Sequence, residues 1–218
     1  MLRAVVLTAL LSLALAAPAS ASASEWAHPV HIVAIHARPD SNSKRVGTTR
    51  LLTEDKRAEV YLVLTRTGHD WVRIRIPGRP NGGKGWVRRS ALGPFTRVDT
   101  EIHVDLRSAT LTLTKQGKTI FRTRVGVGKA STPTPRGHFW VREKLRVKNA
   151  PVYGNYALGT SAYAKLSDWP GGGVVGIHGT NEPDLIPGRP SHGCIRVRNA
   201  DMARLYALTP VGTPIELR

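Results

Sequence analysis

The segment Ser191-His192-Gly193-Cys194-Ile195-Arg196 decides how this chain is interpreted. It holds the only cysteine among 218 residues, and the pair His178-Gly179 precedes it in the sequence. A cysteine attacks a carbonyl group as the thiolate, and a histidine beside it can remove the thiol proton. The segment therefore predicts a cysteine nucleophile, Cys194, with His178 as its general base and proton donor.

Backbone groups beside these two side chains complete the predicted chemistry. The Gly179 carbonyl is expected to hold the second ring nitrogen of His178, which is the orienting role of the acid in a Ser-His-Asp triad. Gly193 allows a sharp turn before the nucleophile, and its N–H, with that of Cys194, is a candidate oxyanion hole. Arg196 lies two residues further along a predicted strand, on the same face as Cys194, where it can hold a carboxylate.

The N-terminus has the features of an export signal. Met1-Leu2-Arg3 gives a short positive start, residues 4–17 are an uncharged, largely apolar run, and two small-x-small sites follow within residues 19–23. Residues 1–23 are therefore predicted to be a removable signal peptide, with an uncleaved anchor as the alternative. We expect a secreted protein of the cell envelope, in the periplasm or cell wall, with no stable membrane insertion after signal removal. Cysteines of oxidising compartments normally pair, so a single one is either inert and buried or reactive.

The net charge of +17 is the strongest deviation in composition. The charge is spread along the chain: residues 24–97 carry 14 Lys and Arg against 6 acids, and residues 98–218 carry 17 against 9. Neither half has a basic run, a zinc-finger spacing or an aromatic-basic motif of the kind that binds nucleic acid. The expected partners are therefore anionic cell-wall polymers, and nucleic acid is not expected.

Short alternating segments at residues 30–35, 58–64 and 71–76 predict strands in the N-terminal half. Turn clusters at residues 38–42 and 78–83 separate them, as in a small all-β barrel. The ending Gly85-Trp86-Val87 resembles the last strand of bacterial SH3-like domains. We therefore predict an SH3-like domain over residues 26–95, and Gly93-Pro94 marks its junction with the next domain.

The C-terminal half is predicted to be a second, mainly β domain over residues 98–218. Strand patterns cover residues 101–107, 111–114, 119–127, 138–141, 174–178, 194–198 and 213–217. One short helix is expected over residues 200–208, after the strand of the nucleophile, with Asn199 as its N-cap and Pro210 beyond its end.

The paired motifs resemble the signature of L,D-transpeptidase catalytic domains, often called YkuD domains. His178-Gly179-Thr180, a gap of twelve residues from 179 to 190, and the segment 191–196 carry the likeness. The stretch from Thr132 to Phe139, with Thr134-Pro135-Arg136-Gly137, is similar to the Thr-Pro-x-Gly-x-Phe segment of that family. The gap is at the short end of the family's range, and Arg196 stands where other members have Asn or a different residue.

The resemblance implies a β-rich fold and acyl transfer on peptidoglycan stem peptides, without a metal or cofactor. Cys194 would attack the bond between meso-diaminopimelate and the terminal D-alanine, release D-alanine and form a thioester, and an amine of a second stem would give a 3-3 cross-link. Members of the family are typically acylated by carbapenems. His192 is expected to line the pocket or orient the turn, and the remaining substrate-binding candidates are Arg196, Ser191, Tyr153, Trp169 and Thr180.

Three points stay open in the sequence. Residues 144–173, with Tyr153, Tyr156 and Trp169, are expected to form a lid over the site. The acyl acceptor can be a second stem, a D-amino acid or water. Two other classes of protein are alternatives: a zinc hydrolase with His178, His192 and Cys194 as ligands, and a non-catalytic protein that binds the cell wall.

Overall fold

The computed structural model describes residues 23–166, 168 and 170–218, and they form two β-sheets. The predicted signal peptide falls on residues 1–22, outside the described part, and on Ala23. The strands of the first sheet are β1 (Ser24–Ala27), β2 (Ala34–His36), β3 (Arg45–Thr48), β4 (Tyr61–Thr67), β5 (Trp71–Arg75), β6 (Lys84–Arg88) and β7 (Thr96–Val98). They lie in the order β3-β2-β6-β5-β4-β1-β7.

A small apolar core fills one side of this sheet. In β5, Val72 and Ile74 are buried and Arg73 between them is exposed, as the alternation of the sequence predicts. Where β2 meets β6, a Cβ on Gly85 would lie only 2.4 Å from Ile35 Cγ2, so the two strands pack closely only with glycine there. The all-β prediction for this half is confirmed, and its SH3-like identity stays a prediction.

The second sheet begins after Asp99 and has ten strands. They are β8 (Thr100–Asp105), β9 (Thr110–Lys115), β10 (Lys118–Arg124), β11 (Gly126–Gly128), β12 (Gly137–Arg146), β13 (Tyr156–Tyr163), β14 (Val174–His178), β15 (Gly188–Ser191), β16 (Ile195–Arg196) and β17 (Pro214–Leu217). Their order is β10-β9-β8-β17-β12-β13-β14-β16-β11-β15. The mainly β fold predicted for the C-terminal half is confirmed.

The register of the central strands determines where the motif residues lie. β14 and β16 are parallel, with Ile177 opposite Ile195 and His178 opposite Arg196. Val175, Ile177 and Ile195 are completely buried in the main core, so the alternate residues of β14 point to the other face of the sheet. The parallel register also brings Cys194, the residue before β16, beside Gly176.

One α-helix, α1 (Asn199–Leu208), follows β16 as predicted. It packs on the core through Met202 and Leu205. The predicted N-cap is wrong by one residue, because Arg198 occupies that position and the helix begins at Asn199. The Asn199 side chain instead accepts a hydrogen bond from the Thr180 N–H at 2.9 Å, and so joins the helix to the segment after β14.

The predicted lid over residues 144–173 is not one loop. Strand β13 occupies its middle and pairs with β12 on one side and β14 on the other. The sequence Tyr-Ala-Leu-Gly-Thr-Ser-Ala-Tyr of β13 is buried almost throughout and therefore lacks the alternation that identifies a strand exposed on one face. Only the segments on either side of β13 remain outside the sheet.

The two sheets contact each other through buried polar groups. Trp140 Nε1 donates to the Val60 carbonyl at 2.8 Å. The Arg142 side chain, 0% exposed, donates from Nε to Glu59 Oε1 at 2.7 Å, and from Nη1 to Glu54 at 3.0 Å. The Glu59 side chain is also 0% exposed. Arg50 Nη2 also lies 3.2 Å from Glu59 Oε2, and its side chain is 42% exposed. The buried contact between Glu59 and Arg142 couples the two sheets, because loss of Arg142 would leave the Glu59 charge with Arg50 alone.

Candidate active site

Cys194 lies directly before β16, at the end of the turn that follows β15. Its thiol is the free sulfhydryl of the chain and is partly buried. The Gly176 N–H donates to the sulfur at 3.4 Å, which follows from the parallel register of β14 and β16. Glycine at position 176 keeps the face of the sheet beside the sulfur free of a side chain.

His178 is buried, with 4% of its surface exposed, at the end of β14. Its Nδ1 lies 2.6 Å from the Gly179 carbonyl oxygen. A carbonyl oxygen can only accept, so Nδ1 carries the proton and Nε2 keeps its lone pair. The Cδ2 edge of the ring lies over Gly176, where an ideal Cβ would be 3.7 Å from Cδ2. Gly176 is also the residue whose N–H donates to the Cys194 sulfur. This is the orientation that the sequence predicted for the base.

Burial moves the pKa values of these two groups in opposite directions. It lowers the pKa of His178 to about 4, against the opposing effect of the hydrogen bond to Gly179, and the positive charge of Arg196 lowers this pKa further. Burial raises the pKa of Cys194, while the Gly176 N–H and the charge of Arg196 act in the opposite sense. At neutral pH the resting pair is therefore a neutral imidazole and a protonated thiol.

The carbonyl that orients His178 is held by close packing behind the ring. A Cβ on Gly179 would lie 2.2 Å from Asn199 Oδ1 and 3.0 Å from the Gly154 Cα, so only glycine fits at position 179. Thr180 is 1% exposed, its N–H is bound by Asn199, and its hydroxyl accepts the Glu182 N–H at 3.0 Å. Thr180 thus holds this segment behind the site, and its contact with substrate stays a prediction.

The turn from Ser191 to Cys194 has its own hydrogen bonds. Ser191 Oγ donates to the Cys194 carbonyl at 2.6 Å and accepts the Gly193 N–H at 3.1 Å. Thr134 Oγ1, from the Thr-Pro segment, donates to the Gly193 carbonyl at 2.9 Å. Gly193 has φ +130°, and a Cβ there would lie 3.0 Å from the Ala164 Cβ. In this state the Gly193 N–H is therefore engaged by Ser191, which differs from its predicted role in an oxyanion hole.

A cavity of ≈260 Å³ opens on one side of the Cys194 and His178 pair. His192 and Arg196 line it, as the sequence predicted for pocket residues, and Ser191 contributes part of its wall. Arg196 Nη1 is already paired with Glu182 Oε2 across the rim. His192 Nε2 lies 3.0 Å from the Lys129 Nζ, which can only donate, so that nitrogen of the imidazole accepts.

A second cavity of ≈240 Å³ also borders Cys194 and His178. Tyr153 lines both cavities and packs edge-to-face on His178 with ring centroids 4.9 Å apart. The second cavity is lined by two carboxylates: Glu143 from β12 and Asp55 from the N-terminal sheet. Cys194 thus borders one cavity that contains the Arg196 cation and a second that contains two acidic side chains.

The structure brings together most of the predicted site. Cys194, His178, Ser191, His192, Arg196 and Tyr153 border the first cavity. Trp169 lies outside the described residues, and Tyr156 packs on Tyr206, with ring centroids 4.7 Å apart, rather than in either cavity. Four further groups of the site are not apparent from the sequence: the Gly176 N–H, the Asn199 tether, Lys129 and Asp55. No local motif marks these residues, because they reach the site through strand pairing or from the other sheet.

Metal ligation is not supported by this geometry. Within residues 23–166, 168 and 170–218, no three His, Cys, Asp or Glu side chains are grouped so that they could hold one metal ion. His178, His192 and Cys194 are thus not arranged as a three-ligand zinc site. In the same part of the chain, no helix has the length and apolar character needed to cross a bilayer.

The chain is similar in sequence to proteins named as L,D-transpeptidases. Residues 99–217 match the YkuD family, described as the L,D-transpeptidase catalytic domain. A Bacillus subtilis (strain 168) protein assigned by its name to the L,D-transpeptidases, YkuD, is 30% identical over 173 residues, or 79% of this chain and 87% of that protein. ErfK/SrfK of Salmonella typhimurium (strain LT2), with a similar name, is 34% identical over 111 residues, or 43% of this chain and 35% of that protein. The solved catalytic domain of the E. faecium L,D-transpeptidase is 30% identical with a TM-score of 0.44, and the match covers 55% of this chain and 97% of that one.

Proposed function

The chain belongs to the L,D-transpeptidase (YkuD) catalytic-domain family, and from this premise we propose that it is an exported cysteine acyltransferase that cross-links peptidoglycan stem peptides. One observation carries the proposal. His178, fixed by the Gly179 carbonyl with its Nε2 lone pair available, lines the same two cavities as the thiol of Cys194. That arrangement suits nucleophilic attack on a carbonyl with transfer of the thiol proton to the base.

The first half-reaction forms a thioester. Cys194 Sγ attacks the carbonyl between the L-centre of meso-diaminopimelate and the terminal D-alanine, and Nε2 of His178 takes the thiol proton. The tetrahedral intermediate then collapses, the C–N bond breaks, and D-alanine leaves with the proton returned by His178. Because the resting pair is neutral, proton transfer accompanies the attack and does not precede it.

The second half-reaction transfers the acyl group to an amine. The amine of a second stem attacks the thioester, loses a proton to His178, and releases the Cys194 thiol on formation of a 3-3 cross-link. The Cys194 N–H is a donor for the oxyanion in both steps, and the Gly193 N–H becomes a second donor when it leaves Ser191 Oγ. A D-amino acid or water is the alternative acceptor for the same acyl-enzyme.

The charge distribution supports the class of substrate. Stem peptides carry carboxylates, and the cavity on one side of the thiol is bordered by Arg196 and His192, with Lys129 against His192. The net charge of +17 favours retention on the anionic polymers of a cell envelope. Export, the SH3-like character of residues 26–95 and binding of wall polymers are parts of the same proposal.

Intact-mass measurement tests the chemistry directly. After incubation with a disaccharide-tetrapeptide, we expect an adduct on Cys194 that has lost D-alanine, and a cross-linked dimer as product. A carbapenem should give an adduct equal to the mass of the drug. Cys194→Ala should abolish both adducts. If folded wild-type protein with a titratable thiol forms neither adduct, the proposal is wrong, and cross-linking that persists in Cys194→Ala would move the nucleophile elsewhere.

A further inference from the structure

Two polar side chains of the N-terminal sheet hold the end of strand β13. Arg79 and Asn81 lie in the turn between β5 and β6. Asn81 makes a pair of hydrogen bonds with the backbone of Tyr163, donating from Nδ2 to its carbonyl at 2.8 Å and accepting its N–H at 3.0 Å. Arg79 Nη2 donates to the carbonyls of Ala164 at 3.0 Å and of Leu166 at 2.9 Å.

The Arg79 guanidinium also packs closely against Tyr163 and Gly173. It lies over the Tyr163 ring, 4.9 Å from its centroid. A Cβ on Gly173 would lie 2.3 Å from Arg79 Nη2 and 2.0 Å from the Leu166 carbonyl oxygen, so the guanidinium fits only against a glycine at position 173. Asn81 pairs with this segment like a neighbouring strand. Together the two side chains bind the backbone of Tyr163, Ala164 and Leu166.

The segment held in this way is a wall of the catalytic cavity. Ala164, Leu166 and Gly173 line the same cavity as Cys194 and His178. The Ala164 N–H donates to the Gly173 carbonyl at 2.8 Å, so these two lining residues are hydrogen-bonded to each other. Ala164 also contacts the turn of the nucleophile, because its Cβ lies only 3.0 Å from the position of a Cβ on Gly193.

We propose that Arg79 and Asn81 are positioning residues of the active site, and that through Tyr163–Leu166 they set the shape of the cavity that admits the acyl donor. The identity of that donor rests on the proposed function, whereas the contacts of Arg79 and Asn81 with Tyr163–Leu166 do not depend on it. The two residues do not touch the reacting atoms, so their loss changes donor recognition and leaves the intrinsic reactivity of the thiol unchanged. The N-terminal sheet is then part of the catalytic site and not only an attachment to it.

Two reagents of different size separate these effects. A carbapenem must occupy the cavity to acylate Cys194, whereas iodoacetamide is small and reports the thiol itself. In Arg79→Ala and Asn81→Ala we expect the second-order rate constant for acylation to fall about tenfold or more, since misplacement of a reacting group by about 1 Å can reduce a rate about a hundredfold. Alkylation by iodoacetamide should stay within about twofold of wild type. Arg79→Lys, which keeps the charge and at least one donor, should recover part of the acylation rate.

Arg73→Ala is the matched control, because Arg73 lies over Trp86 in the same sheet and its guanidinium is exposed. It should acylate at the wild-type rate. Hydrogen exchange at the Ala164 amide gives a readout that does not depend on acylation, and it should accelerate in Arg79→Ala and Asn81→Ala but not in the control.

Each outcome decides a separate question. Unchanged acylation in both variants overturns the positioning role. The role is also overturned if the acylation rate, the alkylation rate and the unfolding midpoint all fall together. If wild type itself is not acylated, the proposed function is wrong, while exchange at Ala164 still decides whether Arg79 and Asn81 hold the wall.

Discussion

The pKa of His178 leads to a quantitative prediction about stability. Burial holds this pKa at about 4 in the folded chain, whereas the ordinary value is 6.5. At about 1.36 kcal/mol for each pKa unit, the difference corresponds to roughly 3 kcal/mol of folding free energy at a pH below both values. The group is 4% exposed, so solvent screening does not reduce this figure appreciably.

The sign follows from proton binding in the two states. Between pH 6.5 and pH 4 the unfolded chain binds a proton at residue 178 and the folded chain does not, so a fall in pH favours unfolding. From this group alone, we expect the free energy of unfolding to fall by about 2 kcal/mol between pH 7 and pH 5, and by roughly 3 kcal/mol at pH 4. The loss begins near the unfolded pKa and levels off below the folded one.

Urea unfolding at pH 7, 6 and 5 measures this contribution when wild type is compared with His178→Gln. Glutamine cannot titrate but can still donate to the Gly179 carbonyl, so wild type should lose about 2 kcal/mol more than the variant across this range. His69→Gln, in the exposed turn between β4 and β5, is the matched control for removal of one imidazole and should follow wild type. Equal slopes for wild type and His178→Gln would refute the argument that burial holds His178 neutral.

Three further substitutions test other parts of the structure. Arg142→Ala should lower the free energy of unfolding by up to about 3–5 kcal/mol, because it leaves the buried Glu59 carboxylate with only the longer contact to the partly exposed Arg50 side chain; a loss below about 1 kcal/mol in urea unfolding would contradict this. Cys194→Ala should remove the acyl-enzyme signal in intact mass and shift the urea midpoint little, and substantial unfolding would instead make the thiol a core residue. Asn199→Ala should cost about 1–3 kcal/mol and slow acylation, because it removes the acceptor of the Thr180 N–H; acylation at the wild-type rate would show that the tether does not position the base.

The sequence predicts a site residue where the group that supports its role is next to it in the chain. Cys194 is the single thiol, Gly193 precedes it, and His178 is followed by the carbonyl that orients it, so each role depends on an adjacent residue. The apolar segment 174–178 has the predicted strand bounds, whereas only Ile195–Arg196 of the strand predicted over residues 194–198 lie in β16. The prediction of His178 as the base needed no knowledge of which strands are neighbours.

Other parts of the fold could not be predicted because their signals are not local. β13 is buried on both faces and rich in small residues, and β15 is a short edge strand with Pro190, a residue that argues against a strand when the sequence is considered alone. Residues 78–83 have the composition of a turn, and the structure confirms a turn, but their contacts with Tyr163–Leu166 span more than eighty residues of sequence. Polar side chains in a turn give no indication of which distant backbone they will bind.

The opposite shifts of the pKa values of His178 and Cys194 bear on how this protein keeps one unpaired thiol. Burial lowers the pKa of His178 and raises that of Cys194, which disfavours a resting pair of imidazolium and thiolate. The charge of Arg196 lowers both values. Oxidation follows thiolate character and exposure, and the sequence has no second cysteine that could form a protective disulfide. Under the proposed mechanism the thiol loses its proton only as it attacks a bound carbonyl, so it is protected until substrate fills the cavity. The same mechanism makes the buried His178 a weak base, so the rate would depend on how closely the cavity places the acyl carbon against the sulfur.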